Sequence, residues 1–153
     1  MAKFGVLLDN CTQHLHKCFS EKLVHQLADV GLPSNASDDL IIATASANSL
    51  IIVTNNCDHF VAEVGKRVAR STKQVCKRVE GLIIIRPSDA LVQERVLRAA
   101  LKDLRFEGRK IGLQTVYDEA LQVVVEASGP PKVTRLPRCL RCDYGEESVA
   151  KAS

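Results

Sequence analysis

Asp9, Asp38, Asn56 and Asp58 are hard oxygen donors lying far apart along a chain of 153 residues. Three carboxylates gathered in one place would repel at neutral pH without a counter-charge. A divalent cation supplies one. Mg2+ and Mn2+ favour oxygen ligands and retain water, which suits three aspartates and an asparagine carbonyl. Such an ion lowers the pKa of a bound water, orients it toward phosphorus and neutralises charge on phosphoryl oxygens. Thr54, just before Asn56, has a hydroxyl that could contact a substrate phosphate or steady the turn. The competing reading is plain: Asp38 capping a helix contributes about 1 kcal/mol with no chemistry attached.

The second chemical feature is a run of cations. Residues 65 to 79, GKRVARSTKQVCKRV, include Lys66, Arg67, Arg70, Lys73, Lys77 and Arg78 and no acid. The whole chain has a formal charge of only +3, so positive charge is concentrated here. A local field of this kind attracts phosphates whatever the global charge. Lys66, Arg67, Arg70 and Lys73 are candidates to position an RNA backbone without reading its sequence. Binding of that type would weaken with salt. A solvated helix face is the alternative.

Other reactive groups form weaker patterns. His14 and His16 follow Asp9, and His59 adjoins Asp58. Cys139 and Cys142 make a CxxC, but a structural zinc site needs four ligands and no Cys or His follows Cys142. Without a secretion signal the six cysteines are expected to be reduced. No P-loop and no GxGxxG is present, which argues against nucleotide cofactors.

These groups need elements to place them. KFGVLLD (3 to 9) is a continuous apolar run ending in an acid, as in a central parallel strand. From Thr12 to Val30 the apolar spacing of three and four predicts a helix stopped by Gly31 and Pro33. Ser37, Asp38 or Asp39 can cap a helix running through Ala47, and Leu50 to Thr54 reads as a second strand. Val61 to Val79 suggests one amphipathic helix or two pieces. LIII (82 to 85) is a third strand, and Ser88 opens a helix to about Phe106. LQVVVEA and KVTRL flank SGPP as a terminal strand pair, while the segment from Gly108 to Ala120 is ambiguous.

Three strand–helix repeats predict an α/β fold: a three-layer, mostly parallel sheet flanked by helices, with a C-terminal strand pair. The composition, 46% hydrophobic and 25% charged, is that of a globular protein. No apolar run approaches the roughly eighteen residues of a membrane span. The apolar burst near the N-terminus is too short for a signal peptide, so a cytoplasmic location is the default expectation. Residues 1–137 are expected to form one domain, and 138–153 a flexible tail. In open α/β sheets ligands bind beyond the carboxyl ends of parallel strands. Asp9, Asn56 and Asp58 follow such ends, and Asp38 begins the intervening helix. All four can face one crevice if the first two strands are parallel neighbours.

The stretch DDLIIATA (38 to 45), followed by IIVTNN (51 to 56) and Phe60, resembles the PIN-like nuclease pattern of an acid, a short helix, a strand and a Thr-x-Asn or Thr-x-Asp turn. The wider layout is more similar to the short PIN-like proteins of the DUF5615/Mut7-C group than to full VapC-type toxins. Asp9 would correspond to the acid after strand one, Asp38 to the helix-borne acid, Asn56 to the polar ligand beyond the threonine and Asp58 to a second acid. The resemblance implies Mg2+- or Mn2+-dependent hydrolysis of RNA by a homo-oligomer, sometimes as the toxin of a toxin–antitoxin pair. Asn56 in place of an acid, and His59 before Phe60, depart from the pattern. They leave open a catalytically degenerate module that binds RNA or a protein.

Overall fold

In the computed structural model the described residues are 4–55 and 79–136. Eight strands fall among them: β1 (Gly5–Leu8), β2 (Val24–His25), β3 (Leu50–Thr54), β4 (Leu82–Ile85), β5 (Leu104–Phe106), β6 (Arg109–Ile111), β7 (Leu121–Val125) and β8 (Lys132–Arg135). Six make one sheet in the order β2-β1-β3-β4-β7-β8, while β5 and β6 form a separate antiparallel ribbon. All neighbours in the large sheet are parallel except β7 and β8. The fold is therefore α/β with a mostly parallel sheet and a terminal antiparallel strand, as the sequence predicts.

The continuous apolar runs of β1, β3 and β4 have a direct cause. Successive strand residues point to opposite faces, and here both faces are covered. Val6, Leu8, Ile51, Val53, Ile83 and Ile85 pack on one side with Leu15 and Phe19, with Leu97 and Ala100 of a helix spanning Ala90–Lys102, and with Val116 of another spanning Leu113–Asp118. Leu7, Leu50, Ile52, Leu82 and Ile84 pack on the other with Ile41, Ile42 and Ala45 of α1 (Asp38–Ala47) and with Leu27. The helices of the first side are α2 (Ala90–Lys102) and α3 (Leu113–Asp118).

Two predicted helices are corrected. The one expected from Thr12 to Val30 is a 3₁₀ segment Asn10–Cys18, the strand β2 and a second 3₁₀ segment Leu27–Val30. A continuous helix would have left the outer edge of β1 unpaired. Instead Val6 N–H donates to Leu23 O at 2.7 Å, and Val24 and His25 pair with Val6 and Leu7. The helix expected to run to Phe106 ends at Lys102, and Asp103 leaves helical geometry. Leu104 still reaches the core, but from β5, so one apolar spacing serves a helix and then a strand.

The ribbon turns through Glu107 and Gly108, both with positive φ (52° and 78°). That is the requirement of a two-residue hairpin loop matched to strand twist. Charged groups hold the ribbon against β8. Glu119 accepts from Arg109 at 2.7 Å and from Arg135 at 3.2 Å; Arg135 also reaches Glu107 at 2.8 Å and lies over the Phe106 ring.

The Arg109 hydrogen bond, aided by Arg135, holds the Glu119 carboxyl below the usual carboxylate range. A depressed carboxylate stabilises the fold above its unfolded pKa, and that contribution disappears as pH falls through the folded value. Thermal midpoints of the parent and Glu119→Gln should therefore differ at pH 7 and converge below the ordinary carboxylate range. Added salt should shrink the pH 7 gap, because these groups are exposed. A gap constant with pH would contradict the assignment.

Candidate active site at the carboxyl edge of the sheet

β1 and β3 are parallel neighbours, with Leu8 opposite Val53. From β1 the chain moves to β2 on one side, whereas β3, β4 and β7 extend the sheet on the other. The β1–β3 boundary is thus the topological switch point, where open α/β sheets form a crevice beyond their strand ends. Asp9 and Thr54 occupy it. Asp9 N–H donates to Val53 O at 3.1 Å, and the residue stays extended (φ −64°, ψ 162°).

Alternation sets the direction of both side chains. Counting from Leu7 and Ile52, Asp9 and Thr54 point toward the face covered by α1. There the Thr54 hydroxyl donates to Asp9 Oδ2 at 2.9 Å. Asn10 N–H donates to Oδ1 at 2.6 Å, and the Cys11 thiol approaches Oδ2 at 3.5 Å. A carboxylate offers about four lone-pair positions, so Asp9 is held by these donors without being saturated. Thr54 is fully buried. Its hydroxyl contacts the acid, which it helps to fix.

Although Cys11 is exposed, partial desolvation is the main cause pushing its thiol up; the Asn55 amide opposes this and the neighbouring Asp9 charge adds to it. A protonated thiol is a donor and a poor nucleophile. Toward Asp9 the thiol is a donor.

α1 brings the second acid to the same end. It has ten residues, about 15 Å of helix, and β3 has five, about 17 Å of strand. Only Asn48 and Ser49 join them, Ser49 with φ 58°. The helix thus doubles back along β3, and Asp38 in its first turn returns to the carboxyl edge. Helix capping is performed by Ser37, whose Oγ accepts from Leu40 N–H at 3.3 Å. The half-buried Asp38 is therefore not the capping residue; it is an acid in the first turn of α1.

A polar network that the sequence does not disclose lies beside this pair. Asn55 Nδ2 donates to Ile85 O at 2.6 Å and to Pro87 O at 3.1 Å. Gln93, only 3% exposed, donates to the same Pro87 carbonyl at 2.6 Å and meets His14 Nε2 at 2.7 Å. The chain segments that follow β1, β3 and β4 are tied together by it. Apart from Gln93 and Pro87, six residues apart, its partners are 30 to 79 residues apart and leave no local signature. His16 is exposed on another row of the 3₁₀ segment.

Asn56, Asp58 and His59 lie outside the described residues, as do Lys66, Arg67, Arg70 and Lys73, the CxxC and the segment 138–153. Among the described residues, no group of three His, Cys, Asp or Glu side chains is placed to hold a metal ion. Asp9, after the end of β1, and Asp38, at the start of α1, are oxygen donors, and that chemistry fits a hard cation such as Mg2+ or Mn2+.

No family model, curated protein or solved structure matches the chain. Among the described residues no helix is long and apolar enough to cross a membrane.

Proposed function

We propose that the protein is a divalent-cation-dependent endoribonuclease that hydrolyses RNA phosphodiester bonds at the carboxyl edge of its sheet. The observation that carries this reading is the Asp9–Thr54 pair. It fixes a carboxylate at the topological switch point, on the face where α1 returns Asp38 to the same edge. The PIN-like resemblance of residues 38 to 60 supports the same assignment.

Asp9 and Asp38, with Asn56 and Asp58, would hold Mg2+ or Mn2+. When bound, the ion supplies activation of water for attack at phosphorus and neutralises charge on the phosphoryl oxygens. The chain's own groups do the positioning. Thr54, Asn10 and Cys11 orient Asp9, and the dipole of α1 favours an anion in its first turn, where Asp38 sits. Lys66, Arg67, Arg70 and Lys73 attract the RNA backbone in this proposal, and Asp9, Asp38 and Asp58 are its catalytic ligands. A cytoplasmic homo-oligomer, acting as the toxin partner of an antitoxin protein, is the biological setting implied.

Incubation with single-stranded RNA should give endonucleolytic products with millimolar Mn2+ or Mg2+. EDTA should abolish them and added Mn2+ restore them. Cleavage indifferent to EDTA sinks the metal-dependent reading. Salt-sensitive RNA binding without cleavage at any metal concentration points to a non-catalytic RNA-binding module.

A further inference from the structure

His14 has a hydrogen-bonding pattern that follows from its neighbours. Pro87 O can only accept, so the Gln93 atom 2.6 Å from it is the donating Nε2. Gln93 Oε1 must then accept, and the ring atom 2.7 Å from it, His14 Nε2, must carry the hydrogen. The tautomer is thereby set, and Nδ1 keeps its lone pair in the neutral ring. Among the described residues Nδ1 has no hydrogen-bond partner, and Gln26 Oε1 is the only buried side-chain polar atom lacking one. Nδ1 therefore reaches solvent.

Its position is beside the proposed site. In a 3₁₀ segment side chains three apart are eclipsed, as the 3.2 Å bond from Gln13 to Asn10 illustrates. The same spacing aligns His14 with Cys11, whose thiol contacts Asp9. From the other direction, His14 reaches Asn55, the residue after Thr54, through Gln93 and Pro87.

We infer that His14 is a substrate-contacting specificity residue whose Nδ1 accepts a hydrogen bond from a ribose 2′-hydroxyl; the inference rests on the ribonuclease reading above. A neutral lone pair does not suit phosphate oxygens, which are themselves acceptors. The donor present at each nucleotide of an RNA strand, and absent from DNA, is the 2′-hydroxyl. Gln93 fixes the ring so that this acceptor has one direction. His14 thus contributes preference for RNA over DNA, without reading bases.

The test measures binding of fluorescent single-stranded RNA and DNA of one sequence, in EDTA to prevent turnover, for the parent and His14→Phe. Phenylalanine keeps a planar ring and removes the Nδ1 acceptor together with the Nε2 donor to Gln93, and thermal unfolding checks that the variant folds. The parent should prefer RNA, and His14→Phe should reduce that preference by about three- to tenfold, the value of one neutral hydrogen bond. Single 2′-deoxy substitutions along the RNA, bound by the parent, give a readout independent of any variant: one position should weaken binding by a similar factor. An RNA-to-DNA ratio unchanged in a folded His14→Phe, or a parent insensitive to every 2′-deoxy substitution, overturns the inference. If the parent still cleaves RNA with Mn2+, the nuclease reading survives that result. A parent that neither binds nor cleaves RNA overturns both.

Discussion

Asp9→Asn is expected to lower Mn2+-dependent RNA cleavage by about 100-fold or more while leaving a cooperatively folded protein. Removing a group that merely orients a metal ligand costs about 10- to 100-fold in affinity or activity, so removing the charge of the ligand itself should reach at least the upper end. The fold should tolerate the change because asparagine preserves shape. Its carbonyl can still accept from Asn10 N–H, and the Thr54 hydroxyl can rotate to accept from the amide. The stability cost should be about 1 kcal/mol, the difference between a hydrogen bond to a charged group and a neutral one at Thr54. Single-turnover cleavage and thermal unfolding on the same preparations separate the two quantities. Equal cleavage by parent and variant would remove Asp9 from the chemistry. A variant that fails to unfold cooperatively would show that the carboxylate is chiefly structural.

Asp9 was legible in the sequence because a buried strand ending in an acid has a local pattern. The same holds for β3, β4 and α1, where continuous apolar runs and Ser37 mark the elements. The boundaries that failed did so for a common reason. Leu23, Leu27 and Val30 have helical spacing, but backbone pairing with β1 claimed Val24 and His25. Leu104 has helical spacing too, yet the chain reverses at Glu107-Gly108, a pair that carries a weaker hairpin signal than Asn-Gly. Periodicity reports which residues are buried, and several backbones can bury the same set. The site followed the same rule. A strand end located Asp9 and a helix start Asp38, whereas the Thr54 donor and the Gln93–His14 bond required register and long-range contact.

Ile52→Ala is expected to destabilise the fold by about 2–5 kcal/mol, lowering the thermal midpoint by roughly 5 to 15 °C. Ile52 is fully buried in β3, paired with Leu7 of β1 and Leu82 of β4. It belongs to the cluster that seats Ile41, Ile42 and Ala45 of α1 against the sheet. Truncation there leaves a cavity between two rigid layers, because strands paired on both sides cannot close in to fill it. Leu91→Ala is the matching control: Leu91 is 77% exposed and should change stability by less than about 0.5 kcal/mol. The location of Ile52 also makes a statement about the site. It lies two residues before Thr54 on the same face, under the helix that carries Asp38, so loosening this layer loosens the seat of the second acid. The Asp9–Thr54 bond is set by the β1–β3 ladder and should persist in the folded fraction. Below the midpoint, Ile52→Ala should therefore need more Mn2+ for half-maximal cleavage while retaining the same products. An unchanged Mn2+ requirement would mean that α1 does not supply a ligand, and that the metal is held by Asp9 with residues beyond β3.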